Sequence, residues 1–383
     1  MSKWEGKFII GLTGNIATGK SVVRKMLEHL GAYGIDADAL SHRAIAKGAP
    51  GFDQVVKAFG KYILGDHGEI DRGKLGKLVF SDPQALTELE SIIHPLVRQA
   101  VEHLVMKTSR KVVVIEAIKL IESPLKEACD TIWVTTAPEI KQLTRLGESR
   151  GMDAATAAER MKSQSSQEDK KAAADTVIEN GGSFDDTWEQ VRQAWRQLFP
   201  EDAKDDSAPE KVAATITVGM DELVVLKARP RQAEEIAAFI TRMSGGKQQL
   251  TRMDVMAEFG EKAYLLLMSK DQLVGLVGWK VEDLVARTDE IYLEEGLSLN
   301  DTVPFLISEM EKASRELQCE ASLVFVSPQV AQQVAVWSGL GYEARGVESL
   351  TVNAWKDAAK EYLSDETILL FKQLRVDRVL KPI

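Results

Sequence analysis

The chain has little of what would make it a metal protein, a disulfide scaffold or a membrane protein. Two cysteines occur in 383 residues, Cys129 and Cys319. They lie far apart and form no metal-ligand spacing, so free thiols in a reduced, cytoplasmic compartment are expected. Histidine is also scarce: all five fall before residue 104, which leaves the second half of the chain without an imidazole base. No apolar run approaches the length needed to cross a bilayer, and no apolar leader occupies the first residues. Basic residues are outnumbered, 48 against 58 acidic ones, for a net charge of −10. That balance supplies no overall basic face and argues against a nucleic-acid or membrane-surface partner. The length exceeds that of a usual single core, and two domains are expected.

What is present early is a glycine loop. Gly11-Leu12-Thr13-Gly14-Asn15-Ile16-Ala17-Thr18-Gly19-Lys20-Ser21 satisfies G-x-x-x-x-G-K-[ST], the phosphate-binding loop of nucleotide-dependent enzymes. Residues 7–12 read as a short buried strand and residues 22–30 as a helix, the context the motif requires. Gly14 and Gly19 let the backbone turn tightly, so that the N–H groups from Asn15 through Val22 face phosphate oxygens at a helix N-terminus. Lys20 then reaches the β and γ phosphates of a bound nucleotide, and Ser21 offers a hydroxyl to Mg²⁺.

Residues 3–198 alternate strand and helix, with apolar strand runs at 8–12, 32–35, 112–115 and 131–134 and long amphipathic stretches such as 83–106 and 187–198. This rhythm predicts an α/β fold: a parallel sheet wrapped by helices on both faces, with ligands at the carboxyl ends of the strands. Residues 199–221 include a charged, proline-containing stretch and read as a linker. A different rhythm follows in residues 222–383: strands at 223–228, 263–268, 272–281, 290–293, 322–326 and 348–352, and helices at 232–243, 303–317 and 329–340. That is α+β with an antiparallel meander.

Beyond the loop, Ile35-Asp36-Ala37-Asp38 puts two carboxylates after an apolar strand expected beside the first. A carboxylate there can take the proton of an attacking hydroxyl. Asp36 is equally suited to cap the helix that follows. These motifs, in order, resemble the dephospho-CoA kinase family over residues 7–195. Gly68-Glu69-Ile70-Asp71-Arg72, Val79-Phe80, Leu89-Glu90-Ser91-Ile92-Ile93-His94-Pro95 and Asp175-Thr176-Val177-Ile178-Glu179-Asn180-Gly181 complete the resemblance.

The resemblance implies a P-loop-type fold with a helical acceptor and lid region, ATP as co-substrate, Mg²⁺, and phosphorylation of the ribose 3′-hydroxyl of dephospho-CoA. It implies Asp38 as the base, Lys20 and the lid residue Arg145 as charge-neutralising groups, and Arg150 as a second nucleotide-binding arginine. Asp36, Asp71, Arg72, His94 and Glu122 would contact the acceptor, and Ser21 and Glu116 the metal. Two departures stand out. The loop's second glycine is Asn15, which tolerates positive φ. The family's Asp-x-Pro-Leu-Leu-Phe-Glu reads Glu116-Ala117-Ile118-Lys119-Leu120-Ile121-Glu122, without the proline.

Residues 222–352 resemble the GNAT N-acetyltransferase superfamily in the order of elements, with Val336-Trp337-Ser338-Gly339-Leu340-Gly341-Tyr342 as its helix-to-strand segment. The glycine turn that holds the CoA pyrophosphate in active members is replaced by Gly296-Leu297-Ser298-Leu299-Asn300-Asp301-Thr302-Val303-Pro304, and the usual acid tyrosine by Trp337. With no histidine in this half, Glu290, Glu294 or Glu295 could serve as a base, although acids on a strand next to a turn are usually solvated. A catalytically degenerate domain with a binding, regulatory or structural role is expected, with CoA or acyl-CoA as its ligand. The alternatives are a bifunctional kinase and acetyltransferase, a nucleotide switch without kinase activity, and a kinase with a nucleoside or nucleotide acceptor. The oligomeric state is not legible in the residues.

Overall fold

The structure is a computed structural model that describes residues 4–65, 68–150, 152–200, 212–218, 221–282, 284–364 and 366–375. Contacts divide the chain into two compact units. Among the described residues, one combines those up to Lys20 with 31–181, and the other combines 21–30 with 182–375.

The first unit is built on five parallel strands, β1 (Phe8–Gly14), β2 (Tyr33–Asp36), β3 (Val112–Glu116), β4 (Thr131–Thr136) and β5 (Thr176–Glu179), in the order β2-β3-β1-β4-β5. Continuous apolar runs such as Val112-Val113-Val114-Ile115 suit a strand covered on both faces, and that run is buried throughout. The register places Glu116 beside both Leu12 and Asp36. Acids from two strands therefore reach the carboxyl edge of the sheet next to the glycine loop, at the point where the strand order reverses.

Helix α1 (Lys20–His29) starts at the end of that loop. Helix α2 (Ala37–Ala44) is capped by Asp36, whose carboxylate accepts from the Ala39 N–H. After α3 (Phe52–Phe59), Asp71 caps α4 (Arg72–Ser81). Asp82 and Pro83 start α5 (Pro83–Lys107), a helix of 25 residues that carries His94 and Pro95 in its interior. The remaining helices of this unit are α6 (Glu139–Arg150), α7 (Ala154–Lys162) and α8 (Gln167–Ala172), the last two capped by Asp153 and Ser166.

The second unit contains α1 from Ser21 onward, α9 (Phe184–Leu198) and an eight-stranded sheet. Its strands are β6 (Val212–Val218), β7 (Asp221–Lys227), β8 (Lys262–Ser269), β9 (Gln272–Glu282), β10 (Val285–Leu293), β11 (Ala321–Val326), β12 (Glu343–Ala344) and β13 (Ile368–Gln373). Their spatial order is β12-β13-β11-β10-β9-β8-β7-β6, antiparallel except for the β10–β11 pair. Alternation along β8 sends Leu265 and Leu267 into one core and Tyr264, Leu266 and Met268 into another. The first core is closed by α12 (Leu299–Glu316), the second by α10 (Ala233–Met243) and α11 (Arg252–Glu258).

Three readings of this half differ from the structure. Strand β6 lies within residues read as linker, whereas residues 201–211 lie outside the described ones. The helix expected over 329–340 is two short ones, α13 (Pro328–Ala331) and α14 (Val334–Gly339). No strand forms at 348–352; a 3-10 turn, Val347–Ser349, leads into α15 (Asn353–Tyr362). The missing strand is β13, paired along β11 from Ala321↔Gln373 to Val326↔Ile368. Its apolar run is too short for periodicity to assign.

Candidate active site

The phosphate loop has little room for any other sequence. A Cβ at Gly11 would lie 2.6 Å from Cys129 Sγ, and one at Gly14 would lie 2.4 Å from the Thr135 carbonyl oxygen. Gly14 and Gly19 have φ of +151° and +89°. The non-glycine residue that takes a left-handed conformation in the loop is Ala17, with φ of 60°, and not Asn15. Asn15 is tolerated for a different reason: it is buried, and its amide donates to the Ser165 carbonyl over 3.0 Å.

Side chains from four segments fix the loop. Gln164 accepts from the Ile16 N–H at 2.8 Å, and the Thr18 and Thr135 hydroxyls meet at 2.8 Å. Asn180 donates to the Thr18 carbonyl at 2.9 Å. Arg145, on α6, donates to the Ala17 carbonyl at 3.1 Å and to the Asn180 carbonyl at 2.9 Å. Burial pulls the Arg145 guanidinium below its ordinary value. Lys20 is buried and folds back on the loop, donating to the Asn15 carbonyl at 3.2 Å, while Ser21 is exposed at the start of α1.

Asp38 lies on the first turn of α2 and accepts from the Ile118 N–H at 3.1 Å. Burial raises its pKa above the ordinary 3.8, against the lowering effects of that hydrogen bond and of the Lys20 and Lys170 ammoniums; Glu116 adds to the rise. Glu116 is itself buried at the end of β3. Thus Lys20, Asp38 and Glu116 are brought together, with Asp36 beside Glu116 in register but engaged as a helix cap.

The other expected residues are placed differently. Asp71 is occupied at the start of α4, accepting from the Gly73 and Lys74 N–H groups at 2.8 and 3.0 Å, and Arg72 is the first residue of that helix. His94 is exposed in the middle of α5. Glu122 accepts from the Ser165 hydroxyl at 2.7 Å. Arg150 ends α6, and its side chain lies outside the described residues. Residue reading missed Thr135, Gln164 and Lys170. Each is a polar residue in a stretch with no motif of its own; burial singles out Thr135 and Lys170, and only its bond to the Ile16 N–H singles out Gln164.

In the second unit, Glu290 is buried and paired with Lys262 at 2.6 Å. Glu294 pairs with Arg242 at 2.7 Å. Glu294, but not Glu290, lines an open cleft of about 580 Å³ together with Arg242, Met243, Gly245, Gln272 and Glu295. Trp337 is buried and donates its indole N–H to the Val330 carbonyl at 3.0 Å. Tyr342 is bonded to the Ser322 hydroxyl at 2.7 Å.

A glycine loop that can wrap phosphates, a buried lysine in it and a carboxylate within that lysine's field define a phosphate-loop phosphotransferase. The sequence profile of the dephospho-CoA kinase family matches residues 8–186. The dephospho-CoA kinase of Frankia casuarinae is 37% identical over 216 residues, which is 56% of this chain and 94% of that relative. The dephospho-CoA kinase of Carboxydothermus hydrogenoformans is 40% identical over 194 residues, 49% of this chain and 94% of the relative. The chain belongs to the dephospho-CoA kinase family and is a kinase. Its remaining half is similar to a GNAT-family acetyltransferase from Streptococcus pneumoniae, at 15% identity and a TM-score of 0.32, over 39% of this chain and 98% of that one.

Proposed function

We propose that residues 1–198 transfer the γ-phosphoryl group of ATP to the ribose 3′-hydroxyl of dephospho-CoA, giving CoA and ADP. The observation that carries this reading is the placement of Asp38 within the electrostatic reach of Lys20 beside the glycine loop. Asp38 takes the proton of the ribose hydroxyl as its oxygen bonds to the γ-phosphorus and the bond to the ADP oxygen breaks. Lys20 and the loop N–H groups hold the charge spread over the phosphoryl oxygens. Arg145, anchored to the loop by two carbonyls, is poised to turn toward the nucleotide when the lid closes. The hydroxyl of Ser21 and the carboxylate of Glu116 are hard oxygen donors of the kind Mg²⁺ takes, and a bound ion would neutralise the β and γ phosphates. Asp36, Asp71, Arg72, His94 and Glu122 are assigned to the acceptor side, and Arg150 to the nucleotide, by the family's motifs alone.

For residues 222–383 we propose a degenerate acyltransferase-like domain, preceded by a linker at 199–221, with CoA or an acyl-CoA as ligand. Strands β10 and β11 pair only as far as Thr288↔Val324, after which β10 runs on beside β9. Parting of two parallel strands opens a place for a ligand at their carboxyl ends. The indole of Trp337 is already committed to Val330 and cannot act as an acid. No helix among the described residues is long and apolar enough to cross a membrane; the cytoplasmic location we propose is supported by the two free thiols.

The test is ADP release by the full chain with Mg²⁺, with and without dephospho-CoA, together with direct detection of CoA. Acceptor-dependent ADP release with CoA formation supports the kinase assignment. ADP release independent of dephospho-CoA, or none, sinks it. Acetyl-CoA turnover with any amine would revive the bifunctional reading.

A further inference from the structure

One buried cation near the loop has no part in the reading above. Lys170, on α8, is 2% exposed. Its ammonium donates to the Ile118 carbonyl at 2.5 Å, and its nearest carboxylate is Glu122 at 3.9 Å, whose side chain is 42% exposed. A buried ammonium is costly unless closely paired, and this one also lies in the field of a like charge, Lys20. Such a placement is poor for stability alone and points to a site.

The geometry around Ile118 supplies the account. The Ile118 carbonyl accepts from Lys170 and from the Thr13 hydroxyl at 3.0 Å, while the N–H on the same residue donates to Asp38 Oδ2 at 3.1 Å. Both main-chain groups of Ile118 are thus held, one by a buried lysine and a strand β1 threonine, the other by the carboxylate assigned as base. The segment lies just past the end of β3: the Ala117 N–H still reaches the Leu12 carbonyl of β1 at 3.0 Å, and Ile118 begins the turn that follows. We propose that Lys170 is a positioning residue for Asp38: it holds the backbone of Ile118, whose N–H sets the direction of the carboxylate toward the acceptor hydroxyl. This inference rests on the assignment of Asp38 as base.

The test uses the full chain and four variants: Lys170→Met, Lys170→Arg, Asp38→Asn and the double variant with Lys170→Met and Asp38→Asn. Lys170→Met should lower kcat by about tenfold while KM for ATP and dephospho-CoA each change by less than about threefold, the mark of an interaction used in the transition state. Lys170→Arg, which keeps a charged donor, should recover most of the loss. In the Asp38→Asn background Lys170→Met should cost less than about twofold further, because the group it serves has been removed. A merely structural lysine would give losses that multiply, and that result overturns the proposal. So does a wild-type kcat in Lys170→Met, or a rise in KM alone. Should Lys170→Met fold poorly, Lys170→Gln takes its place; it should show the same non-additivity with Asp38→Asn, and multiplying losses there count against the proposal. A wild-type kcat in Asp38→Asn would instead sink the base assignment itself, so the two failures are distinguishable.

Discussion

Gly19 and Asn180 are fitted so closely that a Cβ on the glycine would lie 1.8 Å from Asn180 Nδ2. The same amide donates to the Thr18 carbonyl, and the Asn180 carbonyl accepts from Arg145. Loop, strand end and lid helix are therefore one hydrogen-bonded assembly. Gly19→Ala adds both a clash and a left-handed φ for alanine, and should lower kcat/KM for ATP by about a hundredfold or more. Asn180→Ala leaves a buried carbonyl unpaired, at a cost of about 1–3 kcal/mol. Introduced into Asn180→Ala, the glycine substitution should do less additional harm than in the wild type. If the two losses simply multiply, the contact is not what forbids a side chain at position 19.

Lys20→Ala and Asp38→Asn should fail in different ways. The lysine variant loses phosphate stabilisation and turnover. The asparagine variant should bind ATP nearly as well as the wild type while kcat collapses by about a hundredfold or more, within the range of a lost general base.

The pH dependence of Asp38 has a definite sign. Its pKa is raised in the fold, chiefly by burial. A carboxylate in the proposed role of base works only when deprotonated, so kcat should decline as pH falls through that raised value, at a pH above the 3.8 of an ordinary aspartate. For stability the sign reverses: the folded state holds this proton more tightly than the unfolded one, and the ionised carboxylate costs stability above its folded pKa. Asp38→Asn should accordingly melt no lower than wild type at pH 7. A variant that melts markedly lower while keeping its kcat would contradict both halves of the argument.

The loop, the first sheet and Asp38 were legible because each depends on local pattern: glycine spacing, apolar runs and a carboxylate after a strand. What was not legible depends on meetings between distant segments. The missing proline in Glu116-Ala117-Ile118 reads as a departure in the sequence, yet it is the N–H of Ile118, which a proline would lack, that reaches Asp38. Asn15 fits the loop because of Ser165, 150 residues away, and not because of its own backbone preference. Strand β13 has its partner β11 across two short helices, a strand and α15, beyond any local signal.

Cys129 offers a chemical probe of the sheet beneath the loop. Its thiol is pushed up to about 12 by burial, with Asp130 adding to the effect, so thiolate is scarce at neutral or mildly alkaline pH. Cys319 is fully buried. In native protein near neutral pH, both should resist alkylation for as long as the fold persists and react at once in denaturant, read by intact mass. Fast single labelling of native protein would show that the half-buried Cys129 thiol is reached and ionised without unfolding, against the expected resistance.

The last prediction concerns α1 at its end remote from the loop. His29 Nε2 lies 3.0 Å from the Phe259 carbonyl, and the two rings meet edge to face at 5.3 Å within the second unit. Burial lowers the His29 pKa from its ordinary 6.5, opposed by main-chain hydrogen bonds to Phe259 and Lys262 and by Glu28, and helped by Lys25. The unfolded chain therefore binds a proton at higher pH than the fold does, and stability should drain as pH falls below 6.5 toward the lower folded value. His42, lowered by burial and Arg72, acts in the same direction, so the difference between variants is the readout. His29→Gln should flatten the fall of the melting temperature on acidification relative to wild type. Phe259→Ala, which empties a fully buried site, should cost about 3–5 kcal/mol. If acidification destabilises His29→Gln as steeply as wild type, the histidine is not the group that titrates.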